Sequence, residues 1–338
     1  MSSESLRTLF YPFEAGTLAL PSGEDRILFL GAEPGFRLPA GWSGPIEAVQ
    51  GFRPHFRALQ AARVPVAPRA EGEGYAVALV LAGRHRGRNE LDVAEAMART
   101  RPGGLVVVAG SKDDGIASLR KRLAQLVGIE GSEPKYHGIA FWFRRAAGAG
   151  EAASALRAAN PAVLVENRFH AAPGMFSHDR VDPGSLLLAR NLPDDLSGSV
   201  ADFCAGWGFV AAEVAARFPA VSALDLYEAD FEALEAAKAN LAGAAPRTAF
   251  FWCDLLAEPA ARRHDAVVMN PPFHKGRAAD PGIGGRMIRA AAAALRPGGR
   301  LVMVANRHLP YEPVLADAFA ESREIARDGA FKVFCARR

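Results

Sequence analysis

Short apolar runs alternate with amphipathic stretches along the chain, and this alternation predicts strands separated by helices. In the second half we expect strands at 200–204, 221–226, 248–252, 266–269 and 301–305, and helices at 209–218, 229–241 and 287–295. Strands joined by helices of this length form right-handed βαβ units and a mostly parallel sheet. Near the C-terminus, residues 323–326 and 332–336 flank a turn at 327–329, which predicts an antiparallel hairpin at the sheet edge.

The first half follows the same rhythm and repeats three short motifs in the same order. FLGAEPGF at 29–36 corresponds to DFCAGWGF at 202–209, HRGR at 85–88 to HKGR at 274–277, and RPGG at 101–104 to RPGG at 296–299. We therefore expect an α/β protein of two tandem Rossmann-like domains, each with a seven-stranded, mostly parallel sheet. The predicted bounds are 1–145 for the first domain and 161–338 for the second. The Ala- and Gly-rich segment 146–160 is predicted to be a linker, with a short helix as the alternative.

Composition narrows the class of protein. The chain has 338 residues, of which 50% are hydrophobic and 23% charged, which excludes overall disorder. No apolar stretch approaches the ~20 residues of a spanning helix, and no basic segment with an apolar core begins the chain. We expect a cytoplasmic protein that does not enter a membrane. The net charge of +3 permits a nucleic-acid partner without requiring one.

One tetrapeptide directly after the predicted strand 266–269 carries the strongest chemical signal: Asn270, Pro271, Pro272 and Phe273. Two prolines fix φ and remove two backbone donors, so carbonyls of a rigid loop can face a ligand. The Asn270 side-chain oxygen and the Pro271 carbonyl are then two acceptors for a planar NH2 group, and Phe273 can stack on a base. Open α/β sheets bind ligands at the carboxyl ends of their strands, which favours a reactive loop over a plain turn.

A glycine-rich turn joins the strand at 200–204 to the next helix and contains Asp202, Cys204, Gly206 and Gly208. The glycines remove side chains where a nucleotide would approach the backbone. Cys204 stands where a glycine is expected. We interpret it as a small buried residue rather than a nucleophile, because the sequence places no histidine beside it.

Two acidic residues follow the next strands. Asp225, about 20 residues after the glycine-rich turn, can accept hydrogen bonds from both hydroxyls of a ribose. Asp254 can accept from an adenine amino group while Leu255 packs on the ring. A helix cap or a turn is the alternative for each aspartate.

Basic residues beside the reactive loop are the best candidates for phosphate contacts, namely Lys275 and Arg277. The histidines, among them His274, form no metal-ligand spacing, and the three cysteines form no CxxC pair. We therefore expect no metal.

In this order, the glycine-rich turn, the two acids and the Asn-Pro-Pro-Phe loop resemble the class I S-adenosylmethionine-dependent amino methyltransferases. Further segments narrow the resemblance to the RsmC-type 16S ribosomal RNA guanine-N2 methyltransferases, which have a "methyltransferase small" domain. These segments are Pro173-Gly-Met-Phe-Ser177, Asp182-Pro-Gly-Ser185, Ala305-Asn306, Leu309-Pro-Tyr311 and Phe331-Lys-Val333. That family carries a degenerate methyltransferase-like first domain, and here the first half has Leu81-Ala-Gly-Arg84 in place of the reactive loop.

The resemblance implies methyl transfer from S-adenosylmethionine to the exocyclic N2 of a guanine in 16S ribosomal RNA. The cofactor positions it implies are Asp202, Cys204, Gly206, Gly208, Asp225, Leu226, Asp254, Leu255 and Asn270. The catalytic positions are Asn270, Pro271, Pro272 and Phe273, and the substrate positions are Phe176, Phe273, His274, Lys275 and Arg277. The implied partner is ribosomal RNA, free or within the small subunit or its assembly intermediate, and the first domain would bind RNA or support the second.

Two alternatives stay open from the residues alone. The loop accepts any planar NH2, so a 23S ribosomal RNA guanine, a nucleic-acid adenine or a protein glutamine fits equally well. A non-catalytic RNA-binding assembly factor with this fold is the other alternative, because Cys204 and the bulky Trp207 depart from the usual cofactor turn.

Overall fold

The computed structural model describes residues 4–244, 247–272, 274–275, 278–279 and 281–338, with the backbone alone at 274–275, 278–279 and 281. The chain divides into two compact units, Met1–Ala162 and Val163–Arg338. Within the described ranges, no helix has the length and apolar character needed to cross a membrane.

The first unit is an α/β sheet with helices. Its elements are α1 (Glu4–Glu14), β1 (Ile27–Leu30), β2 (Ile46–Val49), α2 (Arg53–Ala61), β3 (Val66–Ala67), β4 (Tyr75–Leu81), α3 (Arg86–Arg99), β5 (Thr100–Ser111), α4 (Ile116–Leu123), β6 (Gly131–Lys135), β7 (Gly138–Arg144) and α5 (Ala149–Ala159). The sheet order is β3-β2-β1-β4-β5-β7-β6, and only the pairs that include β7 are antiparallel among the described strands.

The second unit repeats this plan. Its elements are β8 (Val163–Val165), β9 (Phe169–Ala171), α6 (Pro183–Arg190), β10 (Gly198–Phe203), α7 (Phe209–Arg217), β11 (Val221–Glu228), α8 (Phe231–Asn240), β12 (Arg247–Trp252), β13 (His264–Met269), β14 (His274–Lys275), β15 (Ala278–Ala279), α9 (Pro281–Ala294), β16 (Leu295–Asn306), α10 (Glu312–Ala318), β17 (Glu321–Arg327) and β18 (Phe331–Arg337). The main sheet has the order β12-β11-β10-β13-β16-β18-β17.

The order of the seven described strands is the same in both units, which confirms the predicted tandem α/β fold. The predicted C-terminal hairpin is confirmed as the antiparallel pair β17 and β18, and β18 also pairs with β16. Both RPGG segments lie near the start of a twelve-residue strand, β5 or β16. The second glycine of each is tightly enclosed: a Cβ on Gly104 would lie 2.9 Å from the Ala76 carbonyl oxygen, and one on Gly299 3.0 Å from that of Asp265.

Alternation along β10 shows how the second sheet is covered on both faces. Val200 belongs to the core cluster formed with α6, α7 and α8, whereas Ala201 and Phe203 belong to the cluster formed with α9 and α10. Side chains of a strand point to opposite faces in turn, so Asp202 follows Val200 onto the first face. A carboxylate is therefore carried into an apolar layer at the end of the strand.

The segment 146–160 is not the predicted linker. It contains helix α5, whose buried face of Ala149, Ala152, Ala153 and Leu156 joins the core of the first unit. Alanine-rich sequence suits both a flexible link and a helix, and here the leucine with three alanines gives the helix an apolar face to bury. The boundary between the units therefore falls after Ala162.

Candidate active site

A pocket lies at the carboxyl end of β10, where the chain turns from the sheet into α7. Its walls come from that turn, from the residue after β13 and from the region around the start of α6. The lining residues are Phe176, Ser177, Asp182, Ser185, Asp202, Cys204, Ala205, Gly206, Trp207, Phe209, Val210 and Asn270. The pocket thus brings together five of the predicted cofactor, catalytic and substrate residues: Phe176, Asp202, Cys204, Gly206 and Asn270.

The glycine-rich turn uses its two glycines differently. Both have positive φ, +55° at Gly206 and +89° at Gly208, a region in which glycine has no steric cost. A Cβ on Gly206 would meet nothing within 4 Å, so its surroundings are open to a ligand. A Cβ on Gly208 would lie 2.7 Å from Leu241 and 3.1 Å from the Cβ of Ala237. Gly208 therefore lets α7 start close to α8, and Gly206 leaves room at the pocket.

Cys204 adopts φ +60°, the left-handed conformation that explains why a glycine is expected there. Burial, together with the charges of Glu228 and Asp202, raises the pKa of the Cys204 thiol well above its usual value. A thiol that holds its proton so strongly is a poor nucleophile.

Asp202 is the most unusual group in the pocket. It is 2% exposed, and its Oδ2 atom has no hydrogen-bond partner in the described structure. Burial, the largest cause, and the charge of Glu228 raise the pKa of Asp202 to about 8, opposed by the backbone amide of Ala211. A buried carboxylate oxygen is normally paired with a cation or an N–H donor. The unpaired Oδ2 of Asp202 is therefore a candidate contact for such a group on a ligand.

Glu228, the last residue of β11, supplies the carboxylate beside the glycine-rich turn. Its Oε2 accepts from the backbone N–H of Gly206 at 2.8 Å, and its Oε1 accepts from the N–H groups of Ala229 and Asp230, each at 2.8 Å. Burial raises the pKa of Glu228 to about 6 despite these three amides. Sequence reasoning missed this residue, although its position at the end of a strand and next to the turn was the available signal.

Asp225 does not occupy the position predicted for it. It lies three residues before the end of β11 and is 1% exposed. Its Oδ1 accepts from Nη2 of Arg262 at 2.8 Å, and its Oδ2 lies 3.8 Å from Nε2 of His264. The strand continues past Leu226, where Tyr227 and Glu228 pair with Phe251 and Trp252 of β12, and the ring of Tyr227 packs on Phe203 with centroids 5.2 Å apart. The carboxylate of Asp225 is thus engaged in an ion pair with Arg262, whose side chain is 45% exposed, and its ribose contact stays a prediction.

Four other predicted cofactor positions also lie outside the pocket lining, namely Gly208, Leu226, Asp254 and Leu255. Leu226 is fully buried in the core. Asp254 follows β12, and its Oδ1 accepts from the N–H of Leu256 at 3.1 Å within a turn. Leu255 packs partly buried against the core cluster that contains Phe203. The adenine contact of Asp254 and Leu255 stays a prediction.

Asn270 is held by two residues at the start of α6. Its Nδ2 donates to Oδ2 of Asp182 at 3.0 Å and to Oγ of Ser185 at 2.8 Å. The two hydrogens of the amide are thereby used within the protein. The side-chain oxygen of Asn270 is left as the acceptor that this residue offers to a ligand.

The remainder of the reactive loop is described only in part. Pro271 is buried and Pro272 exposed. Phe273 and Arg277 lie outside the described residues, as do the side chains of His274 and Lys275, so their predicted roles stay predictions. Among the residues that are described, no group of three His, Cys, Asp or Glu side chains is placed to hold a metal ion.

Trp207 anchors the wall of the pocket rather than obstructing it. Its ring is 5% exposed and packs on Phe169, with centroids 5.3 Å apart. Its Nε1 donates to the carbonyl of Phe176 at 3.0 Å. Phe176 itself is 60% exposed at the pocket, an unusual position for a phenylalanine and one where a flat ring could be stacked.

The strand registers locate the corresponding positions in the first unit. In the second unit Phe203 is opposite both Tyr227 and Met269, and in the first unit Leu30 is opposite both Val49 and Val80. By the same alignment, Asp202 corresponds to Phe29, Glu228 to Gln50 and Asn270 to Leu81.

None of these three positions of the first unit carries a carboxylate, and two of them are apolar. Phe29 is fully buried and packs on Phe10 and Phe36. Gln50 uses its own amide, with Nε2 donating to the Ala32 carbonyl at 2.7 Å. Leu81 belongs to the core. The first unit is a degenerate copy of the second at its cofactor edge.

The fold and the site define a protein of the methyltransferase class, and the family model "Methyltransferase small domain" matches residues 166–335. Ribosomal RNA small subunit methyltransferase C of Pseudomonas aeruginosa (strain LESB58) is 33% identical over 245 residues, which covers 72% of this chain and 73% of that protein. The protein of the same name from Chromohalobacter salexigens is 38% identical over 166 residues, 48% of this chain and 49% of that protein. The chain belongs to the ribosomal RNA small subunit methyltransferase C family.

A solved structure agrees with the two-domain architecture. The T. thermophilus 16S rRNA N2 G1207 methyltransferase (RsmC), in complex with AdoMet and guanosine, aligns with a TM-score of 0.78 at 24% sequence identity. The alignment covers 99% of this chain and 92% of that chain. Both units of the present fold therefore have counterparts in one solved protein.

Proposed function

We propose that this protein transfers a methyl group from S-adenosylmethionine to the exocyclic N2 of a guanine in 16S ribosomal RNA. Its family supports a ribosomal RNA methyltransferase. The observation that carries the choice of an amine is the orientation of Asn270. Because its Nδ2 is bonded to Asp182 and Ser185, its oxygen is an acceptor, and an acceptor suits an NH2 group.

The residues of the pocket fit S-adenosylmethionine. Asp202 offers a buried oxygen without a partner to the ammonium group, and the open space at Gly206 admits the backbone approach of a nucleoside. Glu228 takes the role of accepting from the ribose hydroxyls, in place of Asp225. When bound, the cofactor supplies a sulfonium-activated methyl group, so the protein needs no nucleophile of its own. The strongly protonated Cys204 is consistent with direct transfer.

Asn270 and Pro271 orient the attacking amine. Two acceptors that hold both hydrogens of the guanine NH2 fix the direction of its lone pair, which is the main contribution that positioning can make. A base cannot reach such a loop while it is stacked, so the guanine is unstacked or flipped. Phe176 and Phe273 are the rings proposed to stack on it, and Lys275 and Arg277 are the proposed phosphate contacts.

The remaining assignments follow from the substrate. The proposed substrate is ribosomal RNA, either free or within the small subunit or its assembly intermediate. A protein with this substrate acts in the cytoplasm. The first unit keeps the fold but has Phe29, Gln50 and Leu81 where the site has Asp202, Glu228 and Asn270, so it serves RNA binding or support of the second unit. Methyl transfer from a sulfonium requires no metal.

Replacing Asn270 with Ala tests the proposal. The assay measures transfer of labelled methyl from S-adenosylmethionine to small subunits whose 16S rRNA lacks the modification. We expect a loss of at least about 100-fold in transfer rate, the size found when one preorganised polar contact is removed, with cofactor affinity changed by less than about threefold.

Asn191→Ala is the matched control, because the side chain of Asn191 bonds only the Leu187 carbonyl, at the far end of α6, among the described contacts. It should transfer methyl at the wild-type rate. Wild-type turnover by the Asn270 variant would refute the assignment of the reactive loop.

A further inference from the structure

The start of α6 carries a polar arrangement that the transfer of a methyl group does not itself require. Asp182 is the N-cap of this helix, and its Oδ2 accepts from the backbone N–H of Ser185 at 2.8 Å. The same oxygen accepts from Nδ2 of Asn270 at 3.0 Å, and Oγ of Ser185 accepts from that nitrogen at 2.8 Å. Asp182 and Ser185, which are far from Asn270 in sequence, thus accept hydrogen bonds from both hydrogens of its side-chain amide.

We infer that Asp182 and Ser185 are positioning residues that fix the orientation of the Asn270 amide and so make its oxygen the acceptor for the substrate amine. The inference rests on the proposed function. Rotation of the amide by 180° would set the Asn270 oxygen against the Asp182 carboxylate, which can only accept, whereas the Ser185 hydroxyl can donate as well as accept and bonds either orientation. Two acceptors facing each other repel, so the carboxylate selects one of the two amide orientations.

The surroundings keep this arrangement rigid. Ser185 is 8% exposed, which shields its bond to Asn270 from competing water. A Cβ on Gly184 would lie 3.0 Å from Oδ2 of Asp182 and 3.1 Å from the ring of Phe331. The helix start therefore packs closely on Phe331, and a side chain at Gly184 would press on both this ring and the Asp182 carboxylate.

A simple helix cap is the competing explanation, and it can be separated by substitution. A cap needs one acceptor for the N–H of Ser185, and serine or asparagine supplies one as well as aspartate does. The side chain of serine is too short to span from the cap position to Asn270 as well. Asp182→Ser therefore keeps the cap and removes the acceptor for Asn270. Asp182→Asn keeps an oxygen that can accept from both the Ser185 N–H and Asn270. Ser185→Ala removes only the hydroxyl that accepts from Asn270.

The experiment measures kcat, the KM for small subunits, the dissociation constant of S-adenosylmethionine and the melting temperature for these three variants. We expect kcat to fall about 10- to 100-fold in Asp182→Ser and Ser185→Ala, as expected for a misoriented catalytic contact, and to be largely retained in Asp182→Asn. Cofactor affinity and melting temperature should stay at the wild-type values. In an Asn270→Ala background, neither substitution should reduce the residual rate further, because the residue they position is gone.

The failures are distinguishable. An inactive wild-type enzyme would contradict the proposed function. An active wild type with kcat within twofold in both Asp182→Ser and Ser185→Ala would overturn the positioning role alone. A rise in the cofactor dissociation constant, or a further multiplicative loss in the Asn270→Ala background, would also overturn it by showing that these residues act elsewhere.

Discussion

Asp202→Asn should stabilise the free protein while it weakens cofactor binding. The carboxyl is 2% exposed, and one of its oxygens lacks a partner in the described structure. Its pKa rises from 3.8 to about 8 on burial. Because the folded pKa is the higher one, the wild type loses stability as pH rises from about 4 to 8, by about 1.4 kcal/mol per pH unit. Asparagine has nearly the same shape and does not titrate.

The size of the gain follows from these values. At pH 7 the Asp202 carboxyl is protonated in the folded protein and ionised in the unfolded chain. Folding therefore includes uptake of a proton, which costs about 4 kcal/mol, and the variant avoids this cost. The gain should shrink to about 2 kcal/mol at pH 5 and stop growing above pH 8. Urea unfolding of both proteins at pH 5, 7 and 9 measures it. Equal stability of the two proteins at all three pH values would refute the reasoning.

The same substitution tests the role of the carboxylate in binding. A cationic group needs the ionised form, so below pH 8 the wild type should release a proton as it binds S-adenosylmethionine. Its affinity should then rise with pH up to about 8 and level off, whereas that of Asp202→Asn should be weaker and flat. Calorimetry in two buffers of different ionisation enthalpy counts the proton. A wild-type affinity that is independent of pH between 6 and 9 would contradict the assignment.

Three further predictions concern the glycine-rich turn and the neighbouring strand β11. Glu228→Gln should weaken S-adenosylmethionine binding about 10-fold, whereas Asp225→Asn should leave it within twofold and cost about 1–2 kcal/mol of stability. Calorimetry measures the affinities and urea unfolding the stabilities. If Asp225 were the ribose acid, the two variants would show the reverse effects on binding. Gly208→Ala should cost about 2–4 kcal/mol, because its φ is +89° and its Cβ would meet Leu241 at 2.7 Å, and a melting temperature equal to the wild type would contradict this. Cys204 should react with iodoacetamide at pH 8 at least about 10-fold more slowly than free cysteine, since burial raises its pKa. Mass spectrometry of the labelled peptide measures the rate, and labelling as fast as that of free cysteine would contradict the prediction.

The fold could be predicted from the sequence because its signals are local. Each strand is a short apolar run, and the repeated RPGG segments mark equivalent points of the two sheets. At 146–160 the sequence predicted a linker, with a short helix as the alternative, and the structure has the helix; composition there does not reveal that one face of the helix is buried. Leu156 packs into the first unit, and only the three-dimensional contacts of α5 show it.

The site could be predicted only where its residues are adjacent in sequence. The glycine-rich turn and the Asn270 loop are continuous segments, so pattern alone located them. The end of β11 was placed too early, since Tyr227 is only partly apolar in character, so Glu228, whose carboxylate accepts from the N–H of Gly206, was not considered. The bonds from Asn270 to Asp182 join residues 88 positions apart, and no spacing rule indicates such a contact.

The most direct test of the account is the identity of the methylated product. Small subunits from a strain that lacks this gene are incubated with the purified protein and labelled S-adenosylmethionine, and the 16S rRNA is digested to nucleosides for mass spectrometry. We predict one labelled product, N2-methylguanosine, and none with Asn270→Ala. Label in an adenine, in 23S rRNA or in a protein, or an absence of label with the wild type, would contradict the proposal.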